Sequence, residues 1–469
     1  MSQPGCQTPE SASARGDTNS ISERFCLERQ ITYGPGGRIL TNTGVWSPNG
    51  EWLVYDTRSD APGSDFNGET IKVVNVRTGE VREVYRSLNG AHCGVVTFHP
   101  HDNKVVFILG PENPTPDWQY GFYHRHGVIV DADLHASRPS PADRVTNLDA
   151  RDLTPPFTPG ALRGGSHVHV WDAAGQWVSF TYEDHVIAQF KEETPTNDIN
   201  LRNIGVSVPG HPVRVSKDHP RNQDSDYFSV LATRTTANPK PGSDEIKKAF
   251  EEGWIGTNGY LRADGRRQRH ALAFQGLVVT QAGETIAEVF VADLPDDVTK
   301  PGDGPLAGTE TRMPFPPKDC VRRRLTFTAQ RKFPGIQGPR HWLRSSPDGS
   351  RIAFLMKDDA GIVQFWTVSP NGGPAIRMTR NPWSVASAFT WSPDGRRLAY
   401  VMDNSICVTD VASGRTQRLT ARTEDDTAPR PEACVFSQDG KKLAYLRRLT
   451  ESGSTDNQIF VLFLEQKTG

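Results

Sequence analysis

Residues 390–401 read Thr-Trp-Ser-Pro-Asp-Gly-Arg-Arg-Leu-Ala-Tyr-Val, and this stretch decides the fold because the chain repeats it. Close or looser copies begin at five other places: Trp46, Phe98, Trp171, Ser345 and Phe436. The proline presets the φ angle of a turn, and Asp-Gly or Asn-Gly supplies residues that tolerate positive φ. The alternating run that follows the turn suits a half-buried strand. Each copy therefore predicts one hairpin of a small sheet.

The spacing of the copies indicates how the hairpins assemble. Ser345 and Trp391 are 46 residues apart, and Trp391 and Phe436 are 45 apart, which is the repeat length of a four-stranded propeller blade. We predict an all-β fold, a β-propeller of seven blades. Six blades are the alternative if the irregular region between the third and fifth blades is an embellishment. The short strand at 28–33 and the last strand at 458–464 lack partners of their own, so we expect them to pair and close the ring.

The copies also predict boundaries. Residues 1–27 are expected to be a disordered tail and residues 28–469 the propeller. The first three blades are expected at 40–87, 91–153 and 166–217, with an insertion rich in proline and aromatic residues at 111–125. Blade 4 is expected to contain a first strand at 226–233, a helix at 243–253, a strand at 268–274 and outer strands at 285–294 and 323–328. Blades 5, 6 and 7 are expected to begin near residues 337, 385 and 432.

Composition excludes several classes of function. The formal net charge of the 469 residues is −2, which gives no reason to expect nucleic acid or a membrane surface as a partner. No window approaches the apolar length of a membrane-spanning helix, and the first residues lack the apolar core of a signal peptide. The six cysteines are scattered without a Cys-x-x-Cys pair, which favours reduced thiols. We therefore expect a cytoplasmic protein, or a periplasmic one if the start codon is misassigned.

Polar residues near the start of each blade's first strand are expected to converge on the central channel, because that strand lines the axis of a propeller. The sequence places His92, His167, His169, Gln337 and His341 at such positions. Imidazoles from different blades, with an amide oxygen from Gln337, could bind a divalent transition metal. His167 and His169 alternate along one strand, so we expect both side chains to point the same way. The alternative is that each histidine is an ordinary surface or hydrogen-bonding residue.

A second group follows the aromatic run of the blade 2 insertion. His124, Arg125 and His126 could lie on a loop over the channel mouth and bind an anionic ligand through the arginine. A structured loop without a ligand is the alternative. The recurring aspartates of the Ser-Pro-Asp-Gly turns are expected to form the turns and not to take part in catalysis. The chain lacks a nucleophile elbow, a phosphate loop or a dinucleotide fingerprint at a strand–helix junction.

The Trp-Ser-Pro-Asp-Gly units resemble the repeats of TolB-like (WD40-like) propeller proteins over nearly the whole chain after the tail. The stretches Arg29-Gln-Ile-Thr-Tyr-Gly, Ile39-Leu-Thr-Asn-Thr-Gly-Val-Trp-Ser-Pro and His92-Cys-Gly-Val-Val-Thr-Phe-His-Pro resemble an uncharacterised bacterial branch of that group, a domain-of-unknown-function family. The repeats and channel histidines are also similar to those of oligogalacturonate lyases. Those enzymes are seven-bladed propellers that use a manganese-type metal to cleave acidic oligosaccharides by β-elimination.

The resemblance to the lyases implies a role for particular residues. His92 would be the base, His167 or His169 a metal ligand, and Gln337 and His341 further ligands. Arg340 would be available for a substrate carboxylate. The pattern departs from that of the lyases at Arg340-His341-Trp342-Leu343, where a paired His-x-His is replaced, and at Leu109-Gly-Pro-Glu112.

Three functions therefore remain open. The first is a TolB-like propeller that binds a small acidic carbohydrate or a protein partner at its channel face, with or without a histidine-bound divalent metal of the Mn²⁺ type. The second is a metal-dependent lyase that acts on acidic oligosaccharides. The third is a scaffold whose outer face recruits proteins. We favour the first because the set of metal ligands is incomplete.

Overall fold

The structure is a computed structural model, and it describes residues 21–58, 65–132, 134, 145–189, 201–451 and 453–465. Seven sheets of four or five strands follow one another along the chain, which confirms the seven-bladed β-propeller. Blade 1 consists of Gly37–Ile39, Trp52–Arg58, Thr70–Asn75 and Val81–Arg86. Blade 2 consists of Cys93–Phe98, Lys104–Leu109, His126–Asp131 and Val145–Asn147. Blade 3 consists of Gly164–Trp171, Val178–Asp184, Asn203–Val213 and Ser225–Leu231.

The remaining blades repeat the pattern. Blade 4 consists of Ala249–Trp254, His270–Val279, Thr285–Leu294 and Val321–Arg324. Blade 5 consists of Arg344–Ser345, Ile352–Lys357, Val363–Val368 and Ile376–Arg377. Blade 6 consists of Thr390–Trp391, Arg397–Met402, Ser405–Asp410 and Thr416–Arg418, with Ser22–Glu23 added in parallel at its outer edge. Blade 7 consists of Pro429–Phe436, Lys442–Glu451, Ser454–Phe463 and Leu27–Gln30.

Smaller elements lie outside the blades. Two pairs of short strands are formed by Ala150–Arg151 with Ala161–Leu162 and by Tyr260–Leu261 with Arg267–Gln268. Within the described ranges, helical structure is limited to the α-helix His185–Gln189 and the 3-10 turn Asp425–Thr427. None of the helices in this part of the chain has the length and apolar character needed to cross a membrane.

The repeated turn is built by its own side chains. The Ser392 hydroxyl donates to the Asp394 carboxylate and accepts the Arg397 backbone N–H at 2.9 Å. Gly395 has φ of +69°, a value that glycine adopts without steric cost. The copies at Ser345 and Phe436 use the same bonds, between Ser346 and Asp348 and between Ser437 and Asp439, and Asn49 replaces the aspartate in the copy at Trp46. The turn aspartates therefore stabilise the hairpins.

The aromatic residue before the turn joins neighbouring blades. The indole N–H of Trp391 in blade 6 donates to the Arg344 carbonyl of blade 5 at 2.9 Å. Equivalent bonds connect Trp46 to Val435 and Trp254 to Val170. Each bond crosses from one blade to the preceding blade of the ring. The apolar faces between the blades are buried in the same way, so the repeat specifies both the hairpin and its packing.

The two termini close the ring, as predicted. Leu27–Gln30 pairs antiparallel with Ser454–Phe463, and Leu27 lies opposite Phe463. Glu28 accepts hydrogen bonds from the Tyr445 hydroxyl and from Arg447. The last blade therefore combines one strand from the amino-terminal end with three from the carboxyl-terminal end.

Some predicted boundaries are wrong. The segment at 226–233 belongs to the outer strand of blade 3, so that blade extends past its predicted end at 217. The predicted helix at 243–253 is absent, and Ala249–Trp254 is the first strand of blade 4, paired with His270–Val279. Pairing with a long neighbouring strand overrides the helical preference of these residues. Ser22–Glu23 lies in the predicted tail but pairs with blade 6, while residues 1–20 of that prediction lie outside the described residues.

Candidate functional site

A cavity of about 1040 Å³ opens at one end of the central channel. Its wall comes from the innermost strands, or the residues just before them, of six blades, and the blade 2 insertion covers one side. The residues at the wall include Leu40, Val95, Val168, Glu251, Trp342 and Glu432. Polar and aromatic side chains from different blades are thus gathered around a single space.

Four of the innermost strands shift register where they line this cavity, and in three of them, those of blades 2, 3 and 4, the shift includes a residue with positive φ. The register of pairing shifts next to Val95 in blade 2, Val168 in blade 3 and Glu251 in blade 4. Each of these residues has φ of +56°, an unusual value for a residue with a side chain and a strained one for valine. A bulge changes which side chains face the channel, so simple alternation does not apply there.

The bulge separates the two histidines of blade 3. His167 lines the cavity, whereas His169 packs against Gly127 of blade 2, where an added Cβ would lie 2.7 Å from the His169 Nε2 atom. The His169 Nε2 atom is also 2.9 Å from the Ser166 hydroxyl. The expectation that both side chains point the same way is wrong, because alternation is broken at Val168.

A buried carboxylate organises the blade 3 side of the cavity. Glu183 is 1% exposed and accepts a hydrogen bond from Arg202 at 2.7 Å. Its Oε2 atom lies 3.3 Å from His167 Nδ1 and 3.6 Å from Arg125 Nη2. Burial alone would raise the pKa of Glu183, but His167 and the two arginines lower the pKa to about 2. Burial and the neighbouring Arg125 lower the pKa of His167 to about 3, so the imidazole is neutral at pH 7.

Arg125, which lies beside Glu183, has N–H groups that donate no hydrogen bond. It is 6% exposed, and its Nη1 atom donates weakly to the Tyr120 hydroxyl at 3.4 Å. Its Nε and Nη2 atoms have no hydrogen-bond acceptor among the residues that the structure describes. A buried guanidinium with unsatisfied N–H groups is costly in free energy, so the site favours an additional acceptor.

A second carboxylate, Glu251, faces the cavity from blade 4, and Glu252 follows it in the strand. Glu251 accepts a hydrogen bond from Arg340 at 2.8 Å, and its other oxygen has no donor within the described ranges. Burial raises the pKa of Glu251 in spite of Arg340. The next residue, Glu252, accepts a hydrogen bond from Thr181 at 2.8 Å, and burial raises its pKa to about 7. These carboxyl groups belong to the blade next to that of Glu183, and Arg202, the partner of Glu183, also acts on Glu251.

Arg344 connects blade 5 with blade 1. Its guanidinium donates to the Asn42 side chain of blade 1, although Arg344 belongs to blade 5. Burial lowers its pKa to about 10, while Glu252 and Glu251 raise it. Arg344 also lines a smaller cavity of about 330 Å³ together with Trp46, Trp254 and Trp391. Arg344 therefore lies between the charged cavity and the tryptophan-lined end of the channel.

The predicted metal ligands are not brought together. The His341 ring is 2% exposed, its Nδ1 atom is 2.8 Å from the Pro339 carbonyl, and its Nε2 atom accepts the Leu355 backbone N–H at 3.2 Å. Gln337 donates to the Pro334 carbonyl at 2.7 Å, and neither residue lines the cavity. Across the described ranges, no three His, Cys, Asp or Glu side chains are grouped to hold a metal ion. Because both His341 nitrogens are engaged and His169 turns away, the four residues do not fit a shared ion.

The other predicted residues have separate positions. His92 is half-buried, its ring lies edge-on to Tyr120 with centroids 6.3 Å apart, and it does not line the cavity. Arg125 and Arg340 do line the cavity. His124 stacks on Trp118 with ring centroids 3.8 Å apart and does not line this cavity. His126 lines a different cavity, of about 510 Å³.

Several residues of the site were not anticipated from the sequence. They are Arg58, Glu183, Arg202 and Glu251. The Glu251–Glu252 pair was placed in a predicted helix, and recognising a strand there would have directed one carboxylate to the channel. Glu183 and Arg202 carry no local signal, because they meet only through the pairing of neighbouring strands.

These features define a class, a seven-bladed β-propeller with a charged cavity at one end of its channel. The chain belongs to the family of the uncharacterized protein YidR of Escherichia coli strain K12. The two are 47% identical over 422 residues, which cover 89% of this chain and 94% of that protein. A family described as "Protein of unknown function (DUF3748)" matches residues 92–223, and the dipeptidyl peptidase IV N-terminal region matches residues 371–453. The predicted kinship with an uncharacterised family is confirmed.

Solved structures share the fold at low sequence identity. An oligogalacturonate lyase of Vibrio parahaemolyticus superposes with a TM-score of 0.53 at 8% identity, covering 96% of each chain. An oligogalacturonate lyase in complex with manganese superposes with a TM-score of 0.46 at 8% identity, covering 95% of this chain and 96% of that one. At such identities the similarity concerns the fold alone.

Proposed function

We propose that this protein binds a small carbohydrate that carries a carboxylate, in the cavity at the channel face. The observation that carries the proposal is Arg125, a buried guanidinium at the cavity wall. Its Nε atom has no acceptor in the described structure, and its Nη2 atom has only the Glu183 carboxylate, at 3.6 Å and beyond hydrogen-bonding distance. A ligand carboxylate would supply the missing acceptors through charge-assisted hydrogen bonds.

The other groups of the wall favour a polyhydroxylated body. Glu251 and Glu432 each have one buried oxygen without a donor in the described part of the chain. Sugar hydroxyls donate and accept hydrogen bonds, so one molecule could satisfy carboxylates and guanidinium groups together. Phe122 and Trp342 line the same cavity and offer apolar surface to a sugar ring.

The size of the cavity is compatible with this class of ligand. About 1040 Å³ stands at the upper end of the roughly 300–1000 Å³ that small-molecule sites usually enclose. A short oligosaccharide would therefore fit better than a single small ion. A protein partner at this face and a scaffold role for the outer surface are the competing interpretations.

Binding without cleavage is proposed in preference to a lyase. The residue expected to be the base, His92, does not line the cavity that contains Arg340. Among the described residues, those expected to hold a metal do not form a group that could bind one. We also propose a cytoplasmic location, which is supported by the five described cysteines all being free: Cys26, Cys93, Cys320, Cys407 and Cys434.

Calorimetric titration of the full chain tests the proposal. The oligogalacturonate lyases suggest the first probe by their name, so we would titrate trigalacturonate and, as the uncharged counterpart, galactotriose. We expect the acidic trisaccharide to bind at least tenfold more tightly, because it alone offers carboxylates to Arg125 and Arg340. Replacing Arg340, whose side chain is 63% exposed, should keep the fold and weaken binding by about tenfold in R340A.

The matched control is R266A, since Arg266 is 78% exposed and pairs with Asp264 outside the cavity. Equal affinity of R340A and R266A for trigalacturonate, or equal affinity of the wild type for the two trisaccharides, would contradict the proposal. Ultraviolet absorbance of unsaturated uronate, followed with and without Mn²⁺, separates the alternatives. Its appearance would favour the lyase over a binding protein.

A further inference from the structure

A second cavity, of about 510 Å³, lies at the outer side of blades 2 and 3. The blade 2 insertion, the end of blade 1 and the loop at 220–223 surround it. None of its lining residues lines the cavity at the channel face. Its volume lies within the usual range of roughly 300–1000 Å³ for small-molecule sites.

Three buried polar side chains of this wall lack partners. Trp118, His126 and Arg151 are 6%, 8% and 3% exposed. The Nε1 atom of Trp118, the Nδ1 atom of His126 and the Nε atom of Arg151 have no hydrogen-bond partner among the described residues. Buried polar atoms are normally satisfied, so three orphaned atoms around one space indicate that a ligand atom belongs there.

The positions of these groups are determined by packing. Trp118 stacks on His124 at 3.8 Å, and the Arg151 guanidinium lies 5.6 Å from the Trp118 ring centroid. The Nη2 atom of Arg151 donates to the carbonyls of His124 and Arg125, both at 3.2 Å, which leaves Nε for another acceptor. The donors are therefore held in place before any ligand arrives, which reduces the entropic cost of binding.

The charge of the wall selects the sign of the ligand. Arg86, Arg151 and Arg221 line the cavity, against one lining carboxylate, Glu112. Arg86 is paired with Glu83 and Arg151 interacts with Asp149, whereas the Arg221 guanidinium donates to the backbone carbonyls of Glu112 and Asn113. The Glu112 side chain already accepts a hydrogen bond from Asn89 at 3.2 Å. Burial lowers the pKa of His126 to about 3, so this imidazole is neutral and can donate or accept. The excess of cationic groups favours an anion.

Besides the amide side chains of Asn147, Asn222 and Gln223, the rest of the wall is largely apolar. Its apolar members are Tyr85, Leu88, Leu109, Pro111, Val145 and Pro220. An inorganic ion would leave this surface without a partner. We infer that this cavity binds an oxyanion, a carboxylate or a phosphate, carried by a small apolar body, with Trp118 and Arg151 as donors to its oxygens.

Four probes test the ligand class by calorimetry on the full chain. Benzoate and phenyl phosphate carry an oxyanion on an apolar body, benzamide lacks the charge, and inorganic phosphate lacks the body. We expect benzoate or phenyl phosphate to bind at least tenfold more tightly than benzamide and inorganic phosphate. Whichever of the first two binds more tightly identifies the oxyanion. Failure of both to bind, or equal binding of all four, would overturn the inference.

Two variants locate the binding. W118F removes the indole N–H but keeps an aromatic ring against His124, and it should weaken oxyanion binding about tenfold. L88E places a negative charge at a side chain that is 49% exposed, so the fold should tolerate it while the affinity falls at least as far. The control is L261E, since Leu261 is 56% exposed and lines neither cavity. Equal affinity in L88E and L261E would refute the assignment.

A spectroscopic measurement distinguishes this site from the channel cavity. The protein has ten tryptophans, and the indole N–H resonance of Trp118 is identified as the one that W118F loses. A saturating concentration of the oxyanion probe should shift that resonance in the wild type, and it should shift it equally in R340A. If R340A abolishes the shift, the probe binds at the channel face and the inference is wrong. If the proposed carbohydrate binding fails, this result is unaffected.

Discussion

The buried imidazole of His341 should make the protein sensitive to acid in a way that one substitution removes. Its Nε2 atom accepts the Leu355 backbone N–H at 3.2 Å, so protonation of that nitrogen would break the bond and bury a charge. Burial lowers the pKa of His341 from 6.5 to about 4, although the hydrogen bond to the Pro339 carbonyl raises it. The perturbation we consider is H341Q, which keeps a donor and an acceptor but cannot titrate.

The sign follows from proton uptake. Between pH 6.5 and about 4 the unfolded chain protonates this histidine while the folded chain does not, so stability falls as the pH falls through that window. The slope for one such group is about 1.4 kcal/mol per pH unit, and the whole window corresponds to about 3 kcal/mol. Above pH 6.5 the contribution of His341 is fully present. Other buried histidines act in the same direction, notably His126 and His167 with pKa values of about 3.

Urea unfolding at a series of pH values from 7.5 to 5 measures the effect. We expect the free energy of unfolding of H341Q to depend on pH less steeply than that of the wild type, by about 1 kcal/mol per pH unit. H341Q should be less stable than the wild type at pH 7.5, with the difference narrowing as the pH falls. The control is H211Q, which changes an exposed histidine and should keep the wild-type slope. A slope in H341Q equal to that in H211Q would refute the reasoning.

Two further predictions concern the ring. E28A removes the carboxylate that joins the amino-terminal strand to Tyr445 and Arg447. It should lower the free energy of unfolding by roughly 1–3 kcal/mol, because the Arg447 side chain is only 6% exposed and loses its counter-charge. E51A, at an exposed turn of blade 1, is the control, and an equal effect of both substitutions would contradict this account. W391F removes the inter-blade hydrogen bond to the Arg344 carbonyl and should lower the free energy of unfolding in urea by about 1–3 kcal/mol. W383F, at a side chain that is 45% exposed, should lower it by less. The reverse order would show that the indole hydrogen bond does not join the blades.

The blades could be predicted from the sequence because the information is local. The Ser392 hydroxyl, the Asp394 carboxylate and Gly395 determine the turn within four residues, and the chain repeats them. The closing strand could be predicted for a related reason, since a propeller with unpaired first and last strands leaves exposed edges. The first strand of blade 4 could not be predicted from the sequence, because Ala249–Trp254 becomes a strand only by pairing with His270–Val279.

The site was predicted only in part. Arg125 and Arg340 were expected near the channel, and both line the cavity. Their partners Glu183 and Glu251 were not expected, because the contacts join residues 58 and 89 positions apart in the chain. The joint role predicted for His167 and His169 rested on alternation along their strand, and a bulge is a property of the sheet that the sequence does not show.

The bulges give a reason to place function at this cavity that does not depend on any relative. Val95, Val168 and Glu251 occupy equivalent places in three consecutive blades, and all three have φ of +56°. A residue held in such a conformation costs on the order of 1–3 kcal/mol and persists only where its surroundings impose it. Regular strands would stabilise blades 2, 3 and 4 better, so stability of the ring does not account for the bulges. The bulges place Glu251 at the cavity and give His167 and His169 different surroundings. Several atoms of the charged groups at the cavity lack hydrogen-bond partners in the described chain. Strain and unsatisfied polar atoms at the same place support the proposed binding site over a scaffold without a channel ligand.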